Sequence, residues 1–206
     1  KAMFYEIFKF DLRLQLKNPL LWITVLLFGA LAFFSTEAIV LDGAIQQANI
    51  NTAAMNLQVM ANFTLLSMLF VTLFIAHPLL RDHEYGIAEL FFSKPLSKSD
   101  YVLGRFSAGF ALILVLCALM LALMALGSQM PWIDAKKVGP LSLFPYVYTF
   151  LISALPHMLF IAGLLALLAS VTRSMLMVYV GVVAIAGLMA GAQSLMRQLD
   201  SQTFAA

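Results

Sequence analysis

Two short motifs in the chain come close to the residue types and spacings of catalytic or nucleotide-binding sites. His83-Glu84 begins the zinc-binding pattern H-E-x-x-H, but the position of the second histidine is Ile87. Gly104 and Gly109 have the glycine spacing of a phosphate-binding P-loop, yet Phe110 stands where that loop requires a lysine. We therefore predict no catalytic residues, no metal site and no nucleotide site in this chain.

Polar side chains inside long apolar segments are the remaining candidates for chemistry. His77 precedes Pro78, and His157 follows Pro156. An ionisable group in a membrane is a candidate functional residue, because its burial costs free energy. The alternative, which we favour, is that each neutral histidine bonds a neighbouring helix or a carbonyl freed by the proline. Asn62 is expected to face another helix or water.

The composition indicates the class of protein to which these residues belong. Hydrophobic residues make up 63% of the chain and charged residues 11%, against about 45–50% and about 25% in soluble domains. The net charge of +2 does not indicate a nucleic-acid partner. The single cysteine, Cys117, excludes a disulfide within the chain and is interpreted as a packing residue. We predict an all-α, polytopic membrane helical bundle.

Apolar segments long enough to cross a bilayer define the expected elements, since a span needs about 20 apolar residues. The segments are uniformly apolar rather than alternating, which argues against a β-barrel. Pro145 and Pro156 predict a tilt or kink in the fourth span. The five predicted spans are 20–40, 59–80, 101–127, 143–171 and 175–196.

The basic residues predict the orientation of the spans. With the N-terminus in the cytoplasm, the inner segments carry nine lysines and arginines and the outer segments carry three. The opposite orientation inverts this ratio and violates the positive-inside rule. Lys9, Lys17, Lys94 and Lys98 are therefore expected on the cytoplasmic side, and the 136–137 loop outside.

The segment before the first span, residues 1–18, is ambiguous by periodicity. Phe10, Leu12 and Leu14 alternate with polar residues, as in a strand, whereas Phe4 and Ile7 fit a helical face. We favour an interfacial helix, because an isolated strand leaves backbone groups unpaired. The pair Asn18-Pro19 is expected to form the bend into the first span.

A short helix over residues 82–92 is predicted in the loop between the second and third spans. Asp82 is a suitable N-cap, and Glu84 lies in the first turn, where the helix dipole favours a carboxylate. Pro95 ends the helix, and Ser97 with Asp100 forms a capping-box-like start for the third span. A solvated connector without further role is the alternative.

Residues 81–106 read R-D-x-E-x-G-x-x-E-L-x-F-x-x-P-x-x-x-x-D-Y-x-x-G-R-F. This run resembles the loop of ABC-2-type transporter permeases, in particular the membrane region of bacterial permease–zinc aminopeptidase fusion proteins. The resemblance covers nearly all of the chain, and the run is its most specific part. Further matching segments are Phe4-Tyr5-Glu6-Ile7, Pro19-Leu20-Leu21-Trp22, Met130-Pro131-Trp132, Gly139-Pro140, Leu155-Pro156 and Thr172-Arg173-Ser174-Met175.

The resemblance implies a partner and a location. In this family a coupling helix after the second span docks on a cassette ATPase, which binds ATP and magnesium, while the permease itself is not an enzyme and holds no cofactor. The family resides in the bacterial inner membrane, and each half has six spans. The chain departs from the pattern by starting at Lys1 and stopping after the fifth span, so we expect it to be part of a longer permease. The coupling residues implied here are Arg81, Asp82, Glu84, Gly86 and Glu89.

The function that the resemblance implies is ATP-driven export by a homodimer or heterodimer of permease halves. Gly187 and Gly191 form a G-x-x-x-G pair, which allows close helix packing and is expected at a helix interface. The resemblance implies that this interface lies across the dimer. The competing hypotheses are a non-transporting module, which anchors a peptidase or transmits ATPase-driven motion, and a channel. A channel should show filter-like or charge-ringed segments, and none is visible.

Overall fold

The described parts of the chain are helical, apart from turns and one isolated bridge between Ile50 and Val138. The structure is a computed structural model that describes residues 2–41, 50–84, 97–133 and 138–203. Two five-residue π-helical segments, here called π-turns, interrupt the α-helices. Thr72–Ala76 joins α4 to α5, and Phe150–Ala154 joins α7 to α8. The helices are α1 (Ala2–Leu16), α2 (Pro19–Leu41), α3 (Ala53–Asn62), α4 (Thr64–Val71), α5 (His77–Glu84), α6 (Lys98–Gly127), α7 (Leu143–Thr149), α8 (Leu155–Thr172) and α9 (Met175–Thr203).

Three continuous helical segments of the described chain are long and apolar enough to cross a membrane. They are Ser99–Gly127, Leu143–Thr172 and Met175–Ala192. Two bent helix pairs raise the number to five if each pair forms one span. The all-α class is thus confirmed for the described residues, which contain three to five membrane-length apolar helical segments.

The first bent pair joins α1 to the apolar helix α2. The two helices meet at an angle of 68°, and the side chain of Asn18 accepts a hydrogen bond from the backbone N–H of Leu20 at 3.0 Å. Pro19 follows at the first position of α2, where its missing N–H removes no helical bond. Residues 2–16 are helical, as the favoured interpretation predicted, and the alternative of a strand is wrong.

The second predicted span, residues 59–80, is not one straight helix. Helix α3 meets the segment Leu66–Arg81 at 61°, so the first residues of the predicted span belong to a separate element. Helix α3 has its own N-cap, in which the hydroxyl of Thr52 accepts from the backbone N–H of Met55. The apolar run concealed this break, because hydropathy does not report where a helix changes direction.

The helix that ends the second span continues further than predicted. Asp82 and Glu84 lie within α5, which starts at His77, so Asp82 is not the N-cap of a new helix. The backbone N–H groups near Asp82 can bond to carbonyls of the preceding turn, so they do not require an N-cap side chain. The rest of the predicted coupling helix, including Gly86 and Glu89, lies outside the described residues.

The start of α6 agrees with the predicted cap. The Ser97 hydroxyl accepts a hydrogen bond from the backbone N–H of Asp100 at 3.1 Å, and the helix runs to Gly127. Helix α6 is the centre of the packing: it contacts α1, α2, the α4–α5 segment and α8, whereas α9 packs mainly on α8.

Each π-turn is followed within two residues by a proline, Pro78 in the second span and Pro156 in the fourth. Proline cannot donate to the carbonyl four residues earlier, and a π-turn is one way in which an apolar helix readjusts its hydrogen bonds. Accordingly, His77 donates to Thr72 and Leu155 donates to Phe150, each across five residues. The fourth span thus contains a π-turn before Pro156, and the tilt or kink predicted from Pro145 and Pro156 stays a prediction.

Candidate functional site

The start of α6 is held between α1 and the second span by two glycines. A Cβ at Gly104 would lie 3.0 Å from a side-chain carbon of Ile7 in α1. A Cβ at Gly109 would overlap the backbone oxygen of Phe74, in the π-turn of the second span. The absence of both side chains therefore lets α6 approach α1 at one point and the second span at another.

An arginine continues the contact of α6 with the second span. Arg105 is 3% exposed, and its Nη1 donates to the carbonyl oxygen of Pro78 at 2.5 Å. The Arg105 guanidinium also lies over the ring of Tyr101, 4.6 Å from the ring centroid. Arg105 and Gly109 are one turn apart on α6 and meet Pro78 and Phe74, one turn apart on the antiparallel segment.

Helix α1 brings a carboxylate to the same end of the bundle. Asp11 is fully buried, and its Oδ1 lies 3.6 Å from Nη2 of Arg81, which is 22% exposed. Its other oxygen, Oδ2, accepts from Nε2 of Gln15 at 2.8 Å. We call Asp11, Gln15, Arg81 and Arg105 together the α1 junction.

The α1 junction links α1 to α5 by an ion pair, and α6 to α5 by the hydrogen bond from Arg105 to the carbonyl of Pro78. Removing one partner of a buried ion pair leaves an uncompensated charge, which costs far more than an exposed pair gains. Among the described residues, Oδ1 of Asp11 and Oε1 of Gln15 have no hydrogen-bond partner. The cluster therefore fixes α1 against α5 mainly through charge.

At the opposite end of the bundle, hydrogen bonds between uncharged groups join two segments. Asn51, held in the left-handed region at φ 74°, donates through Nδ2 to the carbonyl of Gly139 at 3.1 Å. The hydroxyl of Tyr146 donates to Oδ1 of Asn51 at 2.5 Å. The backbone N–H of Gly139 bonds to the carbonyl of Ile50 at 2.9 Å, so the segments before α3 and before α7 are joined.

The histidines and Asn62 do not form a common site. His157 is half-buried, and its Nε2 has no hydrogen-bond partner among the described residues. The expected bond of His157 to a neighbouring helix or a freed carbonyl is not formed by Nε2 within the described residues and stays a prediction. Before Pro156 the backbone hydrogen bonds are readjusted by the π-turn. His77 and Asn62 are exposed, on different helices.

The other predicted site residues are separated in the structure. Gly187 and Gly191 are exposed on α9, and a Cβ at either position would meet nothing within 4 Å. Their packing against another helix remains a prediction. Arg81 belongs to the α1 junction, while Asp82 and Glu84 follow it in α5.

Sequence reasoning missed the roles of Asp11, Gln15 and Gly109. A signal was present in α1, because Asp11 and Gln15 continue the helical face of Phe4 and Ile7 at spacings of three and four residues. Polar residues on an otherwise apolar face indicate a buried partner. Gly109 had no such signal, because only the packed helices show what faces it.

No group of three or more potential metal ligands is present among the described residues. Comparison of the chain with protein-family models, with curated proteins and with solved structures found no match.

Proposed function

We propose that the chain is a membrane-spanning permease subunit of an ABC-2-type transporter, and that it exports a substrate when a partner ATPase hydrolyses ATP. The motif over residues 81–106 is the basis of this proposal. The observation that supports it most is the α1 junction, in which the helix leading into the motif is joined to α1 and lies against the start of α6.

The arrangement suits the transmission of force from a partner to the spans. Helix α5 continues without interruption from the second span to Glu84. Arg81 lies in its last turn and pairs with buried Asp11, while Arg105 holds the carbonyl of Pro78 one turn earlier. A push on residues 85–96 would therefore reach α1 and α6 together, as rigid-body switching requires.

The proposed partner is a cassette ATPase, with Arg81, Asp82, Glu84, Gly86 and Glu89 as the coupling residues. A second permease half, identical or different, completes the proposed transporter. In this proposal ATP and magnesium bind to the ATPase, and the permease is not an enzyme. The N-terminus lies in the cytoplasm, and the membrane is the bacterial inner membrane.

The test is ATPase coupling of the protein reconstituted in vesicles with a candidate cassette ATPase. The double variant Glu84→Lys/Glu89→Lys should lose stimulation of ATP hydrolysis while it still inserts in the membrane. The matched control is Glu6→Lys, because Glu6 is an exposed carboxylate on α1 on the same predicted side of the membrane. Unchanged association and stimulation in the double variant would refute the proposed coupling.

The proposed orientation has a separate test. Cysteines placed at positions 136 and 137 should react with a membrane-impermeant maleimide added to intact cells, and Cys117 is buried and adds little background. Reaction only after permeabilisation would invert the topology.

A further inference from the structure

A groove of about 740 Å³ lies between α6 and α7 at the end of the bundle that holds Asn51. Its volume is within the range of about 300–1,000 Å³ typical of small-molecule sites. Along α6, three alanines, Ala118, Ala122 and Ala125, leave the space open. On the other side the lining includes Val147, Phe150 and Leu151.

The polar residues of the groove are confined to one of its ends. Gln129 follows the last turn of α6, and Ser142 precedes the first turn of α7. Tyr146 lies next to them, with its hydroxyl directed to Asn51. These groups carry no charge, and they lie near the ends of the two apolar helices. The remainder of the lining is apolar.

The length of the groove matches one leaflet of a bilayer. From Ala118 to Gln129 the helix rises about 16 Å, at 1.5 Å per residue. Half of the hydrocarbon core is about 15 Å thick. A helix that crosses the membrane would require an apolar face continuing through the full thickness, whereas an acyl chain requires one leaflet and a polar end.

We infer that the α6–α7 groove binds one acyl chain of a membrane glycerolipid, with the ester region at Gln129 and Ser142. The uncharged amide and hydroxyl suit ester carbonyls and the glycerol backbone, because they offer donors without requiring a charged headgroup. The apolar residues contact the chain by close packing. The inference is independent of the proposed transport function, since it depends only on the groove and on membrane insertion.

The experiment uses the purified protein in vesicles of phosphatidylcholine, a fraction of which carries a photoreactive diazirine on one acyl chain. After illumination, peptide mass mapping measures labelling of residues 118–129 and 143–151. These segments should be labelled more strongly than the more exposed residues 175–192 of α9. Ala122→Phe fills the groove and should reduce its labelling by roughly threefold or more. Val115→Phe is the matched control, because Val115 is 65% exposed on α6 and does not line the groove.

Two results would overturn the inference. One is that the groove segments are labelled no more strongly than α9 and that Ala122→Phe does not reduce their labelling. The other is efficient disulfide formation between two copies carrying Ala122→Cys in a Cys117→Ala background, which would assign the groove to a second copy of the chain. If Ala122→Phe does not fold, Ala118→Phe fills the same groove one turn deeper and gives the same comparison.

Discussion

Helices α6 and α9 are similar in length and both contain a segment apolar enough to cross a membrane, but their surroundings are opposite. Of the most apolar 18 residues of α6, 44% are buried within the chain, against 6% for α9. Gly109 on α6 faces the carbonyl of Phe74 with no room for a Cβ, whereas Gly187 and Gly191 on α9 face open space. Glycine is therefore a packing requirement at Gly109 on α6 and is unpacked at Gly187 and Gly191 on α9, although Gly181 on α9 lies close to Leu168 of α8.

The difference indicates what each helix contributes. Helix α6 contacts the second span through Gly109 and Arg105, and it also packs against α1 and α2. It is therefore the helix around which these elements are arranged. Helix α9 packs one face on α8 around Val178. Its other face meets lipid or another chain, and an apolar composition is compatible with both.

The largest expected effect comes from adding one methyl group to α6. Gly109→Ala should destabilise the protein by about 2–3 kcal/mol, because the new Cβ overlaps a backbone oxygen that cannot rotate away. Gly187→Ala is the control and should leave the unfolding temperature unchanged or slightly raised, since alanine favours the helix. Thermal unfolding in detergent measures both, and equal midpoints for the two variants would show that the packing contrast is wrong.

The next effect is expected at the α1 junction. Asp11→Ala should destabilise the protein by about 1–3 kcal/mol, because it leaves Arg81 without its carboxylate; the partial exposure of Arg81 reduces the cost. Glu6→Ala, on the exposed face of α1, should change little. Protease sensitivity of the N-terminal helix and the thermal midpoint are the measurements. If Asp11→Ala keeps the thermal midpoint and α1 stays resistant to protease, the ion pair is not needed to hold α1. Its packing against α6 at Gly104 would then suffice.

The smallest effect on stability is expected on α9, where the variant instead tests whether the helix forms an oligomer interface. Gly187→Leu with Gly191→Leu should change the stability of the single chain by less than about 0.5 kcal/mol, because nothing lies within 4 Å of either position. If the two glycines face a second permease half, the same variant should weaken the oligomer, as native mass measurement in detergent would detect. An unchanged oligomeric state would place this face against lipid.

Much of the local structure could be predicted from residue types. The Ser97 cap, the bend at Asn18-Pro19 and the C-terminal limit of α6 at Gly127 follow from short-range chemistry that does not depend on distant residues. The break between α3 and α4 and the continuation of α5 through Asp82 did not follow. In both places an apolar or polar pattern was compatible with more than one helix boundary, and packing selected one.

The sequence by itself determined that the chain is helical and apolar enough to cross a membrane, because hydropathy and the proline positions act locally. Only the tertiary structure decided that Asp11 meets Arg81, that Gly109 meets Phe74, and that Asn51 meets Tyr146. Each of these pairs joins residues far apart in the chain, and between apolar helices in lipid no hydrophobic pattern specifies which faces meet. The choice depends instead on steric fit and on the few buried polar groups that require a partner.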